Sequence, residues 1–304
     1  MCHCASMRIK RWLWALAIIA VVLLSSKMYL LDSAATPSTA FVIDTDAMHR
    51  VASASGPLPD HIEVERIGTF AFPKKIVVAG DSFHLHPMAL LSHRIVWSDR
   101  SIIIDTGVSP STAKTMPGAK LDEAAYNRMQ AAMSKADLIL LTHEHSDHIG
   151  GLASSPDFTS IAKHARVTRE QLNGPKLERS DFAPGALEQL QPFDYQGMVA
   201  VAPGVVIQKA PGHTTGTQLI YVELKNGQRY LFVGDIAWTF ENITRERGRP
   251  RLAELLMKED RAQVAAQLQA LHKLPKEIHI IVAHDPLALE HDVNEGYVKQ
   301  GFTS

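Results

Sequence analysis

Between residues 141 and 151 the chain reads LTHEHSDHIGG, which places His143, His145, Asp147 and His148 within six consecutive positions directly after the apolar run ADLILL. Desolvating so many ionisable groups together is costly unless something compensates them. A divalent cation does so, because imidazole nitrogen and carboxylate oxygen suit zinc, iron or manganese. If residues 138–141 form a buried strand, Thr142 opens its exit loop, the kind of place where a rigid scaffold displays reactive groups. In extended backbone His143 and His145 point the same way, whereas Asp147 and His148 break the alternation. Gly150 and Gly151 are then expected to turn the chain tightly so that the ligands converge, with Glu144 and Ser146 as spacers.

Further ligands should stand at other strand ends beside small residues. APGHTTGTQLIYVEL offers His213, RYLFVGDIAW offers Asp235 and IHIIVAHDP offers His284. Taken singly, each reads as an ordinary turn residue. Three such residues in a chain that already carries the cluster point to a metal centre. The pair His84 and His86 in FHLHP lacks the acid and the following glycines, so no metal is expected there. The histidines at 61, 93, 164, 272, 279 and 291 are given no function.

The elements that must position these groups are short. Candidate strands cover residues 75–79, 94–97, 101–104, 138–141, 205–209, 219–224, 230–233 and 278–282. WSDRSIIID reads as a hairpin turning at 98–100, and ELKNGQRY as a second one turning at Asn226-Gly227. Helices are expected in LDEAAYNRMQAAMSKA, with Leu121, Ala125, Met129 and Met133 on one face, and in KEDRAQVAAQLQALHKLP, with Val264, Leu268 and Leu271 inward and Pro275 as the stop. Many strands interleaved with a few helices argue for stacked α and β layers.

With these motifs in order, residues 64–290 resemble the metallo-β-lactamase-fold hydrolases: IIIDTG (102–107), THEHSDHIGG, PGHTTG, GD at 234–235 and AHD at 283–285 carry the likeness. The resemblance implies an α/β fold, a four-layer αβ/βα sandwich with the metal site at one edge. It implies that His143, His145 and His213 hold one metal, that Asp147, His148 and His284 hold a second, and that Asp235 bridges them. Two divalent ions follow, zinc first, with iron or manganese as alternatives. The commonest zinc β-lactamases use Cys where this chain has Asp235, which argues against antibiotic hydrolysis. GDIAWTFENI is similar to the N-acyl-homoserine lactonase branch, which has Tyr where this chain has Trp238. An indole N–H donates one hydrogen bond and cannot act as a phenolic acid. Trp238 is therefore expected either to contact substrate or to pack beneath the site.

The implied reaction is hydrolysis by a metal-bridging hydroxide attacking a lactone or ester carbonyl. Asp147 would pass the proton to the leaving oxygen. Asp105, in IIIDTG, would orient the histidine loop from behind. Competing readings are a glyoxalase II-like thioesterase, a phosphodiesterase and a metal-binding member without turnover. The diiron redox branch carries a more carboxylate-rich ligand set and a fused flavin domain, and neither is present. The stretch 173–197 is expected to supply part of a lid.

A net charge of −1 gives no basic face for nucleic acid, so the partner is a small molecule. Residues 1–31 read as a signal peptide or membrane anchor: Arg8, Lys10 and Arg11 precede the apolar run 12–24, and Met28 to Leu31 extend it to about twenty residues, a bilayer's span. Ser33-Ala34-Ala35 would suit cleavage. Either way the bulk of the chain is expected to be exported, periplasmic or extracellular, and attached to the membrane through residues 12–31 if the segment is uncleaved. Residues 32–60 read as a linker or extended arm, and 61–304 as the hydrolase domain. Cys2 and Cys4 both precede the apolar segment, so no disulfide staples the domain, and the CHC at 2–4 is expected to be incidental.

Overall fold

Short Ile- and Val-rich runs that are buried on both faces must send alternate side chains into two different cores. The computed structural model describes residues 2–37, 39–54, 56–175, 177 and 180–303, and only the backbone of residues 2–11. One sheet contains β1 (His61–Pro73), β2 (Leu85–Val96), β3 (Ser101–Ile104), β4 (Lys120–Leu121) and β5 (Leu138–Leu140). The other contains β6 (Met198–Ala202), β7 (Val205–Lys209), β8 (Gln218–Glu223), β9 (Arg229–Phe232) and β10 (Ile278–Ile281), and β11 (Lys299–Gln300) returns to the first. The strand orders are β11-β1-β2-β3-β5, with β4 beside β1, and β10-β9-β8-β7-β6.

The alternation is clean. Ile102 and Ile104 of β3 meet Ile207 of β7 and Ile220 of β8 in the core between the sheets. Ile103 faces the opposite way, towards the helix Glu123–Met133 through Met129 and Met133. Across the second sheet, Tyr221 and Leu231 turn outward to meet Val264 and Leu268 of the helix Arg261–His272. Three apolar interfaces thus separate four layers, the αβ/βα sandwich. Asp122 caps the first of these helices through the amide of Ala125, and Asp260 caps the second through Ala262 and Gln263.

Several expectations meet a different outcome. Residues 74–77 form a single helical turn rather than a strand, with Val77 buried; a short apolar run satisfies either geometry, and here the chain must reverse between β1 and β2. β1 escapes the sequence reading because charges interrupt its pattern. Those charges are nonetheless satisfied: buried Glu65 accepts from Arg128 at 2.6 and 3.0 Å. Residues 45–53, read as part of a linker, form a helix whose Met48 and Ala52 are buried against the second sheet. Cys2, His3 and Cys4 lie where side chains are not described. Cys2–Lys27 is one helix, and Trp12–Asp32 is long and apolar enough to cross a membrane, with residues 12–29 exposed and 30–32 partly covered.

Candidate metal centre

The loops leaving β5, β9 and β10, and the loop entering β8, converge. His145 caps a helix, Ser146–Ala153, that begins inside the histidine cluster. Gly150 and Gly151 lie within that helix and do not turn the chain. A Cβ on Gly151 would stand 2.1 Å from the carbonyl oxygen of Thr106, so the glycines let the helix press onto the 105–109 loop. Asp105 occupies that loop with φ +55, a left-handed conformation unusual for any residue with a Cβ. It accepts from the Thr142 amide and hydroxyl, both at 2.7 Å, and lies 2.9 Å from Nδ1 of His148. Gly234, at φ +50, packs so closely on Thr142 that a Cβ there would stand 2.7 Å from its side chain, and Asp235 follows it into the buried interior.

The structure brings all seven sequence-predicted ligand candidates together in two groups. Ligand atoms of His143, His145, His213 and Asp235 lie within 4.8 Å of one another, as do those of Asp147, His148 and His284. Asp235 faces both. Its Oδ2 lies 3.6 Å from His143 and 3.2 Å from His213, while its Oδ1 lies 3.2 Å from His148 and 3.1 Å from His284. Oδ1 is buried without a hydrogen-bond donor.

Whether a cation fits is decided by the imidazole tautomers. Nδ1 of His213 donates to Glu259 (2.8 Å), that of His148 to Asp105 (2.9 Å) and that of His284 to the carbonyl of Ala89 (2.8 Å). Each Nε2 therefore keeps its lone pair for the interior. Two such lone pairs, on His148 and His284, meet at 3.4 Å, an arrangement that calls for a positive charge between them. Outer partners of this kind hold metal-binding imidazoles. Without a metal, a proton on His148 takes the place of that charge. Burial opposes protonation of His148, but Asp105, Asp235 and Asp147 together outweigh it and hold its pKa well above the ordinary value. Burial, reinforced by the His148 charge, drives His143 well below. Burial disfavours ionised Asp235, yet the imidazoles of His284, His143, His148 and His213 keep it ionised. The residues fit a cation pair.

Glu259 and Arg249 are functional neighbours that sequence reasoning missed. Glu259 accepts from Nε of Arg249 at 2.6 Å as well as from His213, and Arg249 donates to the backbone carbonyl of Asp235 at 2.8 Å. Nothing in KED at 258–260 distinguishes a buried partner from an ordinary helix-start acid. Glu144, expected to be a spacer, is buried and accepts from Thr214 at 2.8 Å, tying the histidine loop to the His213 loop. His84 and His86 belong to neither ligand group.

Beside the centre is a cavity of about 320 Å³, walled by Phe70, Phe72, Ile76, Met116, Leu256 and Met257, with His145, Asp147, Asp235 and Trp238 at its floor. Trp238 is 5% exposed, stacks on Phe72 at 5.7 Å and lies edge-on to His284 at 6.0 Å. It thus both lines the cavity and packs beneath the site. No described residue of 173–197 lines the cavity, so the expected lid is absent from that wall. Leu177, Ala186 and Leu190 pack into the first core instead.

Residues 95–284 match the model of the metallo-beta-lactamase superfamily. The chain belongs to that superfamily. It is 29% identical over 157 residues to a hydroxyacylglutathione hydrolase of Vibrio campbellii, covering 52% of this chain and 51% of that one. It is 29% identical over 108 residues to an N-acyl homoserine lactonase of a Bacillus species, covering 36% and 41%. The chain thus spans about half the length, or less, of these curated relatives. Among solved structures, a B. thuringiensis AiiA mutant with N-decanoyl-L-homoserine bound at its active site superposes with a TM-score of 0.59 at 18% identity, over 77% of this chain and 96% of that one. This likeness establishes the fold.

Proposed function

We propose that this superfamily member is a binuclear metal-dependent hydrolase of an acyl ester or lactone. One observation carries the reading: Asp235 turns one oxygen to each of two ligand groups, and the inner oxygen lacks any protein donor. His143, His145 and His213 would hold one ion and Asp147, His148 and His284 the other, with Asp235 between them; zinc is the proposed metal. When bound, such a pair supplies a water of lowered pKa and polarises the carbonyl oxygen.

The chain's own residues do the rest. Phe70, Phe72, Met116 and Trp238 exclude water and hold an acyl chain across the cavity. Asp147 lines the cavity and is partly open to it, with its side chain 19% exposed. Its carboxylate can accept a proton from the attacking water and deliver it to the leaving oxygen. The water oxygen bonds to the acyl carbon, the C–O bond breaks, and a carboxylate and an alcohol leave, joined in one molecule when the substrate is a lactone.

A thioester is the second reading, supported by the relatives named hydroxyacylglutathione hydrolases. A glutathione carrier is an anionic tripeptide and would call for cationic partners. No Lys or Arg lines the cavity among the described residues, which favours an apolar acyl group. The test is a panel of lactones, esters and thioesters assayed on metal-stripped and reconstituted protein, with metal content measured on the same samples. Activity should vanish on stripping and return with zinc at about two ions per chain. Hydrolysis that survives stripping would sink the proposal.

A further inference from the structure

Lys75 is only 4% exposed, and its ammonium lies 2.6 Å from Oδ1 of Asp32. Asp32 is the last residue of the apolar stretch that is long enough to cross a membrane. A buried lysine stripped of its carboxylate would be left as an uncompensated charge, an arrangement folded proteins avoid. Neighbouring contacts repeat the message. The amide of Gly80 donates to Leu31, Arg247 donates to the carbonyl of Asp32 at 3.2 Å, Arg261 donates to the carbonyl of Ser33, and the Arg251 guanidinium lies over the Tyr29 ring at 4.5 Å. Cleavage after Ala35 would remove every one of these partners. The end of the apolar helix is built into the fold.

The same elements wall the cavity. Residues 28–32 pack on the helical turn Lys74–Val77 and on the helix Arg251–Met257. Ile76 from the first, with Leu256 and Met257 from the second, lines the cavity beside the metal centre. Around this junction Phe83, Leu85, Leu255 and Leu256 are 63% to 73% exposed. Phe83 belongs there because its ring covers Lys75 at 5.2 Å. Among the described residues beyond 32, the other large apolar side chains that are exposed are Val42, Phe240 and Leu287, which lie elsewhere. Clustered apolar exposure marks a surface that is covered in use. The 21-residue stretch that is long and apolar enough to span a bilayer ends at the patch, which points to the bilayer as the cover. Tyr29 then sits at headgroup level, where aromatic rings with a polar tip are favoured.

We propose that residues 12–32 are a retained anchor, that Phe83, Leu85, Leu255 and Leu256 rest on the membrane, and that the cavity draws its substrate from the lipid. The substrate class is an acyl ester or lactone whose chain partitions into the bilayer. This inference rests on the hydrolase reading for its chemistry, but its geometry stands apart from it.

The test uses the full chain, zinc-loaded and reconstituted in phosphatidylcholine vesicles. Intact mass of the membrane-extracted protein should show residues 12–32 present; a chain beginning at or beyond Ala34 overturns the proposal. In a Cys2→Ser, Cys4→Ser background, a spin label on Leu255→Cys should be relaxed by lipid-dissolved oxygen, and one on Leu287→Cys by an aqueous nickel complex. Two aqueous labels overturn it, and would mean that another protein covers the patch. Leu255→Glu should lower hydrolysis of a dodecanoyl lactone in vesicles about tenfold and leave a water-soluble short-chain lactone unchanged. Loss on neither substrate, or equal loss on both, overturns the membrane route. Should the wild-type protein hydrolyse no short-chain ester or lactone, the hydrolase reading fails while the mass and label results still decide the anchor.

Discussion

The two halves of the candidate centre are built differently. The group of His143, His145 and His213 is held from behind by charge: His213 leans on buried Glu259, which Arg249 neutralises. Burial alone would keep Glu259 protonated, but Arg249 and His213 hold its carboxyl below the ordinary range. The group of Asp147, His148 and His284 is held by one carboxylate, that of Asp105 in a turn at φ +55, and by one backbone carbonyl, that of Ala89. It also contains Asp147, the member that opens towards the cavity. The first half is backed by a full ion pair, whereas the second relies on a single carboxylate and a backbone carbonyl; the cavity touches both, through His145 and Asp147.

Asp235 serves both halves, so Asp235→Asn should do most damage: at least a hundredfold loss of activity, with metal content falling below two ions per chain by elemental analysis. Retention of two tightly bound ions would falsify the bridging assignment. Glu259→Gln should weaken one site about 10- to 100-fold and also destabilise the fold by about 3 kcal/mol, because Arg249 is left buried without its partner. Denaturant melts of apo and loaded protein separate the two effects. Asp105→Asn should weaken the other site by a similar factor with less loss of apo stability, since His148 keeps Asp235 and Asp147 beside it. If the two variants empty the same site in a two-step metal titration, the contrast between the halves is wrong.

A smaller effect concerns pH. His93 lies behind the second half, edge-on to Phe232 at 5.0 Å, and burial lowers its pKa to about 4 against a weaker pull upward from Asp105. The folded state thus binds fewer protons than the unfolded chain between about pH 4 and 6.5, so stability rises with pH across that window and is lost as pH falls. His93→Phe should flatten this slope by at most about 1.4 kcal/mol per pH unit, measured as denaturation midpoints across the window. An unchanged slope would show that His93 does not carry it. Least of all, Glu144→Gln should cost about 1 kcal/mol, through the weakened tie to Thr214.

Much of this centre could be read from the chain before folding. His143, His145, Asp147 and His148 lie close together in sequence, and the other three candidates stand beside runs whose β8, β9 and β10 counterparts fall within a residue of their expected bounds. Such runs are dictated locally, since a segment buried on both faces must be apolar throughout. Gly150 and Gly151 were recognisable as necessary but not for their reason. A flexible turn and a close helix contact select the same residue, and only the nearby Thr106 carbonyl tells them apart.

What the sequence by itself determined was the set of groups able to hold metal and the layered order of the elements that carry them. Tertiary structure alone decided which oxygen of Asp235 faces which group, that Glu259 and Arg249 stand behind His213, and that Ala253, Leu256 and Met257 wall the cavity where described residues of 173–197 do not. It also joined Asp32, at the end of the apolar N-terminal stretch, to Lys75 of the domain. The physical reason is range. Periodicity and ligand type are properties of neighbouring residues, whereas a buried charge finds its partner wherever the fold brings one, here 10 residues away for Arg249 and 43 for Lys75.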